Sequence, residues 1–201
     1  MHRKAQNLLV PLLAASAISA AHGAPCLIQS KQVGGVRAGM TVTQARSALP
    51  GAVFKTGEDG DHMPIHTVWR ATTRLMDLYV DVDEPRPDRA RIELIRVYDP
   101  ACATAQGVHP GMPLGDVEKH YGKLLRLERT EVEAREYAEF ENAPSWMDIQ
   151  CGNGKAGIYP SGKRCASTFA PAAKVESLWI SHPRTSTRFF ATDAECSIQG
   201  K

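Results

Sequence analysis

The chain alternates between two hydrophobic periods. Val42, Ala45 and Leu49 fall at i, i+3 and i+7 and predict one apolar stripe on a short helix. From Leu75 to Asp83 the period drops to two, with Met76, Leu78, Val80 and Val82 on one face and Asp77, Tyr79 and Asp81 on the other. That is the pattern of a half-buried antiparallel strand. Ala52 to Lys55, Ile65 to Arg70 and Arg91 to Tyr98 read as further strands, the last with a phase change expected between Leu94 and Ile95.

The helix stretch occurs twice. Gly35 to Leu49 is matched by Gly107 to Tyr121 at an offset of 72, and the pairs Gly39/Gly111, Met40/Met112, Val42/Leu114 and Ala45/Val117 keep register. Each Gly-Met pair predicts a tight turn leading into a helix. Thr41 with Gln44 three residues on has capping-box spacing, and Pro113 opens the second helix. Met147-Asp148-Ile149 answers Met76-Asp77-Leu78 at an offset of 71, and Val175 to Ile180 answers Ile92 to Val97 at 83. The difference is twelve extra residues between Cys151 and Val175. The expected fold class is therefore α+β: two tandem units, each a short helix packed on a small antiparallel sheet. The expected organisation is a signal peptide over 1–23, a first unit over 24–106, a second over 107–182 and a tail over 183–201. Gly39, Met40, Gly111 and Met112 are expected to be structural.

Residues 1–23 read as an export signal. Arg3 and Lys4 precede an apolar stretch from Leu8 to Ile18 and a small-x-small site at Ala21-His22-Gly23. Pro25 stands directly before Cys26, where a lipoprotein processing site has a small residue, so a soluble periplasmic or secreted protein is expected. Removing the signal changes the charge picture. The whole chain has 24 basic and 22 acidic residues, and loss of Arg3 and Lys4 leaves 22 against 22. A neutral mature chain has no basic surplus for nucleic acid, and no transmembrane segment is expected.

The Gly-Met turn, the short helix with Ala45 or Val117 near its middle and the Gly122 stop resemble the BamE-type helix-on-sheet module of envelope proteins. In tandem they are also similar to the architecture of the β-lactamase inhibitor protein family. Ile92 to Gly122 and Val175 to Ile180 resemble an uncharacterised family of envelope-stress-regulated lipoproteins. All the matching residues belong to the scaffold, so the resemblance implies a fold and no activity.

Five cysteines in an exported chain predict two disulfides and one leftover thiol. Cys151–Cys165, closing the extra segment, is the first choice, and a bond between two of Cys26, Cys102 and Cys196 would tie the ends down.

Little in the sequence points to chemistry. Gly152-Asn153-Gly154-Lys155-Ala156-Gly157 has dinucleotide-fingerprint spacing, but Ile158-Tyr159-Pro160 cannot open the required helix, and Asn153-Gly154 is a hairpin-turn signal. His62 and His66 flank Pro64, which prevents a one-face metal pair. No catalytic motif, metal site or cofactor is expected. The remaining candidate is the sheet face away from the helices, where His66, Asp77, Tyr79, Tyr137 and Asp148 are expected to lie open, with Trp69 and Phe140 turned to the core. Tyrosines with polar neighbours suit protein recognition. The expectation is a non-enzymatic protein that binds another envelope or secreted protein through this open face. An inhibitor of a secreted or periplasmic enzyme, an envelope-polymer hydrolase using His66, Asp77 and Asp148, and a structural envelope-maintenance protein are the alternatives. The sequence leaves the oligomeric state open.

Overall fold

The computed structural model describes residues 26–131, 133–181 and 196. The expected signal peptide and, apart from Ser181 before it and Cys196 within it, the tail lie outside the described residues. In chain order the elements are β1 (Cys26–Gln29), β2 (Gln32–Val33), β3 (Val36–Arg37), α1 (Val42–Ala48), β4 (Val53–Glu58), β5 (Pro64–Arg70), β6 (Thr73–Val80), β7 (Ile92–Val97), β8 (Cys102–Thr104), α2 (Leu114–Tyr121), β9 (Leu124–Arg129), β10 (Arg135–Phe140), β11 (Met147–Asn153), β12 (Cys165–Ala166) and β13 (Ser177–Ser181).

The expectation of two units with separate small sheets does not hold. The protein is mostly β, and its strands form one nine-stranded antiparallel sheet in the order β12-β9-β10-β11-β13-β7-β6-β5-β4. The join is β13 against β7, with Leu178 opposite Val97 and Ile180 opposite Ile95. Both closing strands are apolar on one face, and an unpaired edge of that kind would be exposed to water and to other chains. Pairing them removes both edges and merges the two cores.

A second sheet of four short strands, β3-β2-β1-β8, was not foreseen. Its β1–β8 pair is parallel, with Cys26 opposite Cys102 and the two joined by a disulfide. Ile28, Val33 and Val36 from this sheet enter the same core as Val42 and Ala45 of α1, Leu114, Val117 and Tyr121 of α2, and Met76, Leu78, Ile95, Val97, Ile149, Leu178 and Ile180 of the large sheet. One face of the large sheet is thus covered by both helices and the small sheet.

The duplicated turns dock alike. Gly39 N–H donates to Ile92 O and Ile92 N–H to Met40 O; Gly111 N–H donates to Val175 O and Val175 N–H to Met112 O. Gly39 and Gly111 both take φ of 88°, where a Cβ would be strained. Met40 and Met112 are half-buried against the core. Thr41 and Gln44 complete the capping box.

The closing-strand phase changes at Glu93, opposite a bulge at Tyr79/Val80, rather than between Leu94 and Ile95. β6 ends at Val80, and Val82 is 61% exposed instead of in the core. The first-choice disulfide is also corrected: Cys165 pairs with Cys196 and Cys151 is the free thiol. Cys151 is buried among core residues on β11, with its sulfur donating to Glu136 O at 3.4 Å.

Candidate functional site

The helix-free face is set by strand parity. Ile65 and Thr67 of β5 lie opposite Tyr79 and Asp77 of β6, Asp77 opposite Arg96 of β7, and Arg96 opposite Trp179 of β13. Asp148 faces Trp179, and Tyr137 faces Gln150. Asp77, Tyr79, Tyr137 and Asp148 therefore share a face as expected, but His66 does not. His66 pairs with Leu78, one residue out of phase, and points to the helix side, where its Nδ1 meets the Thr56 hydroxyl at 3.3 Å. Trp69, two residues along β5 from Thr67, shares its face by strand alternation and donates its indole N–H to the Thr67 hydroxyl at 3.0 Å, away from the core position expected for it. Phe140 is in the core.

Nor is the face open. Tyr79 is 7% exposed and Tyr137 0%, and Asp77 and His66 are 1% exposed. The reason is curvature. β10 and β5 are five strand steps apart, which in a flat sheet would be about 24 Å. Yet Arg135 on β10 reaches Asp61, in the β4–β5 turn, at 3.2 Å. Gly60 in that turn lies so near Glu133 that a Cβ there would stand 2.7 Å from its Oε1. The sheet curls until hairpin tips from its two ends meet over the helix-free face. Beneath them Ile65, Tyr79, Tyr137 and Trp179 form a second small core, with Trp179 contacting Tyr79 at 5.4 Å and Tyr137 at 6.2 Å between ring centroids. Burial pushes the Tyr79 phenol well above its ordinary range and the Tyr137 phenol up to about 12.

The polar groups around this core are tied to one another. The Asp77 carboxylate accepts two bonds from Arg74, at 2.9 and 2.5 Å, and one from the Tyr98 hydroxyl at 2.9 Å. Gln150 Oε1 accepts from Arg96, Trp179 and Ser177 at 2.7, 2.9 and 3.2 Å. The Arg96 guanidinium lies 4.8 Å from the Tyr98 ring and 4.7 Å from the Trp179 ring, a cation between two π faces.

At the mouth of the curl is a depression of about 360 Å³. Arg74, Arg96 and Arg135 supply its cations, Glu58, Asp59 and Glu176 its acids, and Tyr98 and Thr67 part of its wall. Such a surface can take both donors and acceptors from a partner while offering ring area. It offers little as an acid–base centre: Asp77 is locked by Arg74 and Tyr98, and His66 is on the opposite side of the sheet. His66, Asp77 and Asp148 are not brought together.

Arg74, Arg96, Tyr98, Arg135 and Trp179 were missed from sequence. Leu94, Arg96 and Tyr98 share one phase of the closing strand, and an arginine in mid-strand between Ile95 and Val97 was the available signal.

Two further sequence features are accounted for internally. The Gly152 to Gly157 segment does form an anion-holding nest of backbone N–H groups, but its anion is the chain's own Glu136. The buried Glu136 carboxylate accepts from Lys155 N–H at 2.8 Å, Ala156 N–H at 2.8 Å and Gly157 N–H at 2.8 Å. Glu128, Cys165 and Cys196 bring three ligand-type atoms within 4.8 Å of one another. The two sulfurs are bonded to each other, so they are not thiolate ligands.

No helix among the described residues is long and apolar enough to cross a membrane. No protein-family model and no curated protein matches the sequence. Among solved structures, the fold is similar to the crystal structure of the uncharacterized protein yfeY from Escherichia coli, with a TM-score of 0.52 and 16% identity, over 76% of this chain and 98% of that one. At that identity the likeness concerns the fold alone.

Proposed function

We propose that this is an exported, non-enzymatic binding protein that recognises another envelope or secreted protein at the mouth of its curled sheet. The observation that carries the reading is the mouth itself: three arginine heads, an acidic rim and a tyrosine ring around one depression, built on strands rather than loops. The tyrosines first expected to anchor the partner, Tyr79 and Tyr137, instead form the floor that fixes this surface from below. Two disulfides fit an oxidising compartment, which supports a periplasmic or secreted location. A neutral mature chain favours a protein partner over nucleic acid.

Site-directed photo-crosslinking in the producing cell tests this. A photoreactive residue at Thr67, in the mouth, is expected to trap one discrete adduct, and the same residue at Ser47, exposed on α1 behind the sheet, none. Adducts from Ser47 with none from Thr67 would overturn the proposal.

A further inference from the structure

The extra chain of the second half builds a pocket. Residues 155–174 fold into a lobe over the end of β11. Ala170 N–H donates to Ala156 O at 2.7 Å, Ile158 N–H to Thr168 O at 3.0 Å, and the Glu136 nest fixes the start of the lobe. Between lobe and strand lies a cavity of about 320 Å³. Cys151 puts its floor on the helix side of the sheet, and the cavity meets the mouth described above only at Glu176, which lines both. Its floor is Cys151, 5% exposed, with Ala156 and Ala173 beside it, both buried in the core. Burial pushes the Cys151 thiol far above its ordinary range, so the floor is neutral and apolar at any physiological pH.

The rim has the opposite character. Lys155 and Lys174 are exposed at the opening, and neither forms an ion pair with a described residue. The rim carboxylate, Glu176, is turned away toward Arg96 at 3.4 Å. A small apolar cup with two ammonium groups at its lip, neither paired with a described residue, matches one kind of molecule: an apolar body with an anionic head. The volume lies at the lower end of ligand sites, roughly 300–1,000 Å³, which limits the body to a short chain.

We propose that this pocket binds a small anionic amphiphile, an alkyl carboxylate of medium length, with its chain against Cys151, Ala156 and Ala173 and its carboxylate between Lys155 and Lys174. This site is independent of the protein-recognition reading and stands or falls apart from it.

Calorimetric titration of the intact disulfide-bonded protein with butanoate, hexanoate, octanoate and octylamine tests the assignment. One-to-one binding of the carboxylates is expected, strengthening about fourfold per added methylene until the cup is full. Octylamine is expected not to bind. The Lys155→Glu/Lys174→Glu variant changes two exposed side chains, so its melting temperature should stay near wild type while octanoate binding weakens by about tenfold. Ala172→Trp, at the exposed lip, should block entry. No carboxylate binding, equal binding of octylamine, or octanoate affinity unchanged in both variants would overturn the proposal. So would binding to anionic phospholipid vesicles alone, which would make the lysines a surface patch and not the lip of a pocket.

Discussion

Arg135 and Asp61 are 74 residues apart in the chain and 3.2 Å apart in space, and their ion pair ties β10 to the β4–β5 turn over the helix-free face of the nine-stranded sheet. Arg135 also pairs with Glu133 and stands 5.8 Å over the Trp179 ring. Asp61 is the more exposed partner, so Asp61→Ala should cost only about 0.5 kcal/mol. Arg135→Ala also uncovers Trp179, and about 2 kcal/mol is expected. Urea melts give both values, and acrylamide quenching of Trp179 should rise only in the Arg135 variant. Equal quenching in wild type and variant would show that the hairpin tips do not shield the aromatic floor.

The Asp77–Arg74–Tyr98 group predicts a thermodynamic cycle. Arg74→Ala leaves a buried carboxylate with only the Tyr98 hydroxyl, at a cost of about 3 kcal/mol. Neutralising that carboxylate should recover part of the loss, so Arg74→Ala/Asp77→Asn is expected to be more stable than Arg74→Ala alone. Additive losses by chemical denaturation would contradict the buried pairing.

His66 makes stability depend on pH. Burial lowers its pKa below 6.5 in the folded state, helped by the charge of Arg46 and opposed by Asp88. The unfolded chain then binds the proton more readily than the folded one, so stability falls as pH drops below about 6.5 and is unaffected by this group above it. Melting curves between pH 7.5 and 5.5 should show a loss in wild type that is reduced in His66→Gln. An identical pH slope in the two proteins would remove His66 as the cause.

Glu136 in its nest gives the sharpest single substitution. Gln at this position puts an amide N–H₂ where one carboxylate oxygen accepts from two of the three backbone donors, and a loss of about 3 kcal/mol is expected for Glu136→Gln. Gly152 has φ of 154°, and a Cβ there would stand 3.0 Å from Glu136 Oε2, so Gly152→Ala should cost about 2 kcal/mol through the same contact. Unchanged urea midpoints would show that the nest is not held by this carboxylate.

Local features were legible in the sequence because local rules set them. The capping box at Thr41 and Gln44, the glycines at 39 and 111, and the period-two strand through Met76 and Leu78 each follow from a few neighbouring residues. The joining of the halves was not legible. Leu178 and Val97 read as core residues of either one sheet or two, and only their pairing distinguishes the cases. The faces of His66 and Trp69 were misread because period two has no tolerance: β5 runs without a bulge of its own from Ile65 to Trp69, so a one-residue error in its phase reverses both residues. The closed mouth depends on sheet curvature, a sum of twists over nine strands, which no short stretch encodes. The disulfides were misassigned because proximity in sequence made Cys151–Cys165 attractive, whereas Cys151 sits on a core-facing strand position.

The most direct test of recognition at the mouth is a quantitative pull-down from envelope extract, comparing residues 24–201 with their Glu58→Lys variant. Glu58 is exposed and outside the core, so the two proteins should melt alike. The account predicts one partner held in stoichiometric amount by the wild type and lost by the variant. A partner held equally by both, or none held by either, would contradict it.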